Sequence, residues 1–167
     1  LMIYSFVDYP LRSTALMCVF ALACGLMAGT TTAAPLEEAW QVPVENRLID
    51  LHSHILPGLD DGSPDLKTSL DMARMAVADG IAAMACTPHI LPGLYDNSSS
   101  DIRRRTQKFQ QKLLEAQIPL QVVAGCDAHM RPDFIQGLKA DRILTINRSS
   151  YVLFEPPHTV APLRLEE

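Results

Sequence analysis

The residues best equipped for chemistry begin at His52-Ser53-His54, directly after Leu48-Ile49-Asp50-Leu51. If residues 48–54 form a strand, its period of two sends Asp50, His52 and His54 to one face and Ile49 and Leu51 to the other. Two imidazoles then converge. Such a pair suits a borderline divalent cation such as Mn, Fe or Zn, and nearby carboxylates can bridge it to a second ion. An H-x-H pair alone is a weak signal, because many are surface residues. Here it is followed by Gly58-Leu59-Asp60-Asp61-Gly62 and then by Thr87-Pro88-His89, an order that no structural need accounts for. The series reads as the front of a metallohydrolase.

The elements that must position these residues alternate. After strand 48–54, Ser63-Pro64 offers a helix start, with Pro at the first helical position. Leu66, Leu70, Ala73 and Val77 recur at helical spacing, and Gly80 supplies the stop. Residues 81–86 form a short buried strand. A helix over about 100–116 turns Ile102, Thr106, Phe109 and Leu113 to one side. Strand 120–124, a short helix near 132–140 and strand 151–155 follow. Repeated βα units imply parallel strands, hence an α/β layer or barrel whose chemistry collects at the carboxyl ends of the strands. His52 and His54 end the first strand, His89 follows the second, Asp127 the third, and Glu155 ends the last.

The chain of 167 residues suits one domain, and its net charge of -5 does not support a nucleic-acid face. Arg103-Arg104-Arg105, its one basic cluster, reads as a solvated helix face. Cys86 and Cys126 in the folded part make no disulfide framework, and Cys86 reads as a small core residue. A cysteine-based phosphatase is set aside: Arg131 follows Cys126 at the wrong spacing, and Asp127 beside it disfavours a thiolate. Residues 14–29 form an apolar stretch after Arg12, ahead of small residues up to Ala34, too short for a convincing membrane span. Two readings of residues 1–47 stay open, a signal-like leader or a non-native extension.

The run from Leu48 to Gly62, with Ala85-Cys86-Thr87-Pro88-His89, resembles the polymerase and histidinol phosphatase (PHP) superfamily. Gly93-Leu94-Tyr95-Asp96-Asn97 and Tyr151-Val152-Leu153-Phe154-Glu155 narrow the resemblance to the bacterial manganese-dependent tyrosine phosphatases of capsule and exopolysaccharide operons. The resemblance implies a distorted TIM-like (β/α)7 barrel, of which residues 48–167 would be the incomplete N-terminal part. It implies that His52 and His54 hold a first metal, that Asp127 bridges it to a second also bound by Glu155, and that Asp61 and His89 hold a third. Asp61, His89 and Asp127 would be catalytic, with Asp60 less certain, as a partner of a ligand. His129 would touch the substrate or be a plain surface histidine. The cofactor expected is Mn2+, or Fe or Zn, with up to three ions in the complete enzyme.

Two departures stand out: the family has Glu where this chain has Asp127, and its further His ligand, Asp-x-His pair and phosphate-binding arginines are absent. The chain is therefore expected to be a fragment, inactive as given and holding one ion or none. The implied activity is hydrolysis of phosphotyrosine by metal-activated hydroxide. The substrate would be a phosphotyrosine protein such as a bacterial tyrosine autokinase, in the cytoplasm unless residues 12–34 are an export signal. Alternatives are another PHP phosphoesterase such as histidinol phosphatase, or a non-catalytic metal-binding remnant.

Overall fold

The computed structural model describes residues 48–157. The leader-like stretch, with Cys18 and Cys24, lies outside the described residues.

Strand β1 (Leu48–Ser53) leads through α1 (Leu66–Ala78) to β2 (Ile81–Cys86) and, after Thr87-Pro88, to β3 (His89–Ile90). Helix α2 (Ser99–Glu115) returns the chain to β4 (Gln121–Ala124) and β5 (Asp127–His129). Helix α3 (Phe134–Lys139) and a 3-10 turn at Ile146–Arg148 precede β6 (Leu153–Glu155). Two parallel sheets result, ordered β1-β2-β4 and β3-β5-β6. Backbone bonds join them: Thr87 N donates to Ser53 O at 2.8 Å, Gly125 N to Cys86 O at 2.9 Å and Asp127 N to Pro88 O at 3.1 Å. The strand paths therefore run side by side as β1, β2–β3, β4–β5 and β6, each step crossed by a helix, as parallel pairing requires.

The expected α/β alternation holds, with shifted boundaries. The first helix starts at Leu66 instead of at Ser63-Pro64, because Asp65 caps it by accepting from Thr68 N at 2.8 Å. Ser63 Oγ is spent elsewhere, on Asp65 O and Ser69 Oγ. The buried face of α1 is Ser69, Ala73 and Ala76, so of the expected apolar set Ala73 is buried, Leu70 and Val77 are partly so, and Leu66 is exposed. Small side chains let this helix lie close to the sheet. In α2 the buried residues are the expected Ile102, Thr106, Phe109 and Leu113, and Ser98 caps the helix through Asp101 N. The arginine cluster is paired at the surface, Arg103 with Asp141 and Arg104 and Arg105 with Asp101. The last strand is shorter than expected, beginning at Leu153.

The main core lies between sheet and helices, around Ile55, Leu56, Met84, Cys86, Ile102, Phe109, Leu113, Ile143 and Leu144. A smaller cluster of Ala83, Ala85, Val123 and Ile146, with Ile49 and Leu51 against it, forms separately.

Candidate metal centre

Histidines and acids from every strand path meet at the carboxyl ends. On β1 the simple alternation fails: the pairing with β2 slips between Asp50 and Ser53, where three steps of β1 run opposite two of β2, from Met84 to Cys86. A one-residue slip exchanges faces. Asp50 is therefore not with the histidines in any donor group, which corrects the expectation that it shares their face. Its buried carboxylate accepts from His52 N at 3.0 Å, and burial raises its pKa. His52 and His54 do converge, with their Nε2 atoms 3.1 Å apart. Between them, Ser53 faces the protein, its hydroxyl donating to Ala85 O at 2.8 Å and its N–H to Thr87 Oγ1 at 2.9 Å.

The loop after β1 returns onto the pair. Ser63 N donates to His54 O at 3.0 Å and Gly58 N to Ser63 O at 2.8 Å. At Gly62 a Cβ would lie 2.3 Å from both Cβ and O of His54, so only glycine lets the loop come this close. That approach places Asp60 Oδ2 2.7 Å from His54 Nδ1, where it also accepts from His89 N at 3.0 Å, while its Oδ1 accepts from Gly62 N at 3.0 Å. Burial pushes the Asp60 carboxyl up, but the hydrogen bond and charge of His54 and the two backbone donors outweigh it and hold the pKa below the ordinary value. Asp60 thus fixes two histidines at once and leaves His54 Nε2 as the nitrogen turned to the cluster.

His89, on β3, is reached from two sides. Its Nε2 lies 3.5 Å from Asp61 Oδ1, and its Nδ1 lies 3.3 Å from Glu155 Oε2 and 3.6 Å from Asp127 Oδ2. Burial disfavours its charged form, yet the carboxylates of Glu155, Asp127 and Asp61 around the ring prevail and raise its pKa. Asp127 Oδ2 is also 3.4 Å from His52 Nε2, so the shorter side chain still stands between the two histidines. His129, two residues further along β5 and on the same side, places Nε2 2.6 Å from Glu155 Oε2. It is neither an isolated surface histidine nor turned away from the acids.

Three donor groups result: His52, His54 and Asp127; His54, Asp61 and His89; and His89, His129 and Glu155, each with ligand atoms within 4.8 Å of one another. All six residues expected to hold metal belong to them, and His129 joins as a seventh. Nitrogen and carboxylate donors in this mixture suit Mn, Fe or Zn. Asp127 Oδ1 is buried with no hydrogen-bond partner among the described residues, a lone pair that a cation would satisfy.

Tyr95 and Asn97 lie in the loop of residues 93–97, which carries part of the family resemblance. In the fold the Tyr95 ring stacks on His89, with centroids 5.4 Å apart and planes at 16°. Asn97 Nδ2 donates to His89 O at 2.9 Å and to Leu59 O at 3.1 Å, tying the loop of Asp60 to β3. Both residues line a cavity of about 250 Å³ beside the cluster, which Arg131 and Arg142 also line. Both guanidiniums are held by Asp133.

Residues 48–162 match the model of a family described as capsular polysaccharide synthesis, CpsB/CapC. The tyrosine-protein phosphatase YwqE of Bacillus subtilis is 35% identical over 120 residues, which cover 72% of this chain and 47% of that protein. The tyrosine-protein phosphatase CpsB of Streptococcus agalactiae is 26% identical over 108 residues, 65% of this chain and 44% of that one. A solved structure from the pair YwqE of Bacillus subtilis and CpsB of Streptococcus pneumoniae, described as unique metal-dependent tyrosine phosphatases, superposes with a TM-score of 0.66 at 36% identity. That likeness covers 68% of this chain and 46% of the other. The chain spans about half the length of the relatives it matches.

Proposed function

The chain belongs to the CpsB/CapC family of capsular polysaccharide synthesis, and on that footing we propose that it is the N-terminal part, residues 48–167, of a metal-dependent protein-tyrosine phosphatase. The observation that carries this reading is the meeting of three donor groups at the carboxyl ends of parallel strands. The parallel strand order fits one side of a distorted (β/α)7 barrel of the PHP type, in which that end bears the chemistry.

The difficulty of phosphate monoester hydrolysis is charge, since a dianion must meet an oxygen nucleophile. Cations such as Mn2+, when bound, neutralise phosphoryl oxygens and make hydroxide available near neutral pH. The protein's own contribution is to hold them. His52, His54 and Asp127 would hold one, Asp61 with His89 another, and Glu155 with Asp127 a third. Asp60 keeps His54 and His89 in orientation, and Asp61, His89 and Asp127 would be the catalytic residues. The cavity lined by Tyr95, Asn97 and Arg131 is where residues around the phosphotyrosine rest. Its substrate is a phosphotyrosine protein, a bacterial tyrosine autokinase, met in the cytoplasm. No helix among the described residues is long and apolar enough to cross a membrane.

The test is turnover by the chain in its full reading frame, with Mn2+, of a phosphotyrosine peptide, histidinol phosphate and nucleotide monophosphates. Preferred release of phosphate from the peptide, abolished by chelation, is expected. Preference for histidinol phosphate would move the assignment to another PHP phosphoesterase, and no turnover of any would leave a metal-binding remnant.

A further inference from the structure

His129 is the residue whose position the expected ligand set does not explain. A neutral imidazole has one lone pair to give, because its other nitrogen carries a proton. His89 faces two donor groups, with Nε2 toward Asp61 at 3.5 Å and Nδ1 toward Glu155 at 3.3 Å. It can serve one of them as a ligand. If Nε2 takes the cation beside Asp61, Nδ1 keeps its hydrogen and donates it to the carboxylates, so the Glu155 side needs an imidazole from elsewhere. His129 supplies one: its Nε2 sits 2.6 Å from Glu155 Oε2, in the donor group these two share with His89. Bonds of about 2.0–2.2 Å to a shared cation need donors roughly 3.0–3.4 Å apart. Opening the His129–Glu155 contact by less than about 1 Å, a small side-chain rotation, meets that.

We propose that His129 is a metal ligand which, with Glu155, holds a cation in the donor group it shares with His89, leaving His89 Nε2 to the cation beside Asp61. The inference rests on the metal-centre reading above and changes the role of His129 within it, from touching substrate to holding metal. It also gives the described residues an imidazole for each of the three sites: the His52–His54 pair, His89 and His129.

The experiment is a long-range 1H–15N spectrum of the imidazoles in the labelled chain, recorded with and without Zn2+, with His129 assigned by its loss in His129→Gln. The Nε2 signal of His129 is expected to move on Zn2+ addition. Equilibrium dialysis should show one Zn2+ fewer per chain in His129→Gln, and no further loss in the double variant with Glu155→Gln, since both remove one site. If the His129 signal stays in place while those of His52 and His54 move, His129 is only a hydrogen-bond partner of Glu155, and the inference is overturned with the metal centre intact. If no imidazole signal moves, the metal-centre reading fails and the inference with it.

Discussion

Asp60 does more for the cluster than its neighbour, although Asp61 is the one placed to touch a cation. It holds His54 Nδ1, His89 N and Gly62 N with two oxygens, all under cover from solvent. Removing a partner of this kind typically costs 10–100-fold in metal affinity. Asp60→Asn, which keeps the shape and forfeits the charge, should weaken Mn2+ binding by about that factor, as read by titration calorimetry. The raised pKa of His89 has its own consequence. Held protonated above its ordinary value of 6.5, the ring must shed a proton before it can ligate. Metal uptake should release protons, and affinity should rise as pH climbs past 6.5 and the ring loses its proton. Titrations in buffers of different ionisation enthalpy check this, and affinity that falls with pH contradicts it. At this scale the grouping of donors is legible in the sequence: His52, His54, His89, Asp127 and Glu155 fall at or beside strand ends and Asp61 in the loop after the first, and all six belong to the three donor groups. The role of His129 is not, because its meaning depends on where Glu155 lies across a strand pair.

Glycine and the small-residue face decide how the elements close on one another. Gly62 lets the aspartate loop rest on His54, so Gly62→Ala should push the loop off, destabilise the chain by about 1–3 kcal/mol and weaken metal binding together with it. A denaturant midpoint unchanged from the parent would contradict that. Helix α2 was read correctly because its buried face follows the helical period without exception. In helix α1 the expected apolar face is only partly buried, because Ser69, polar by type, takes part of it through its bonds to Ser63 Oγ and Asp65 O, which no hydrophobic pattern announces. The slip in β1 was invisible for a related reason. A period of two is the only pattern a sequence offers, and bulges break it locally, so Asp50 was assigned to the wrong company. The short strands β3 and β5 carry two and three residues, below the length at which alternation can be recognised.

In the whole molecule, four parallel strand paths direct their carboxyl ends to one place, where acids and imidazoles gather within ion-pairing reach of one another. Three buried or half-buried carboxylates, Asp60, Asp127 and Glu155, stand within hydrogen-bonding or ion-pairing reach of the histidines. Such a cluster binds positive charge as protons or as metal, and metal that binds only the folded chain stabilises it, by about 2.7 kcal/mol at a concentration one hundred times Kd. The expectation of one ion or none came from ligands absent from the chain. The three donor groups in the fold are the reason to expect more. The most direct test is the number of Mn2+ ions retained per chain at neutral pH in equilibrium dialysis. More than one ion is predicted for the parent, with binding lost at one site in His52→Ala, whereas a parent chain that retains no Mn2+ would contradict the account.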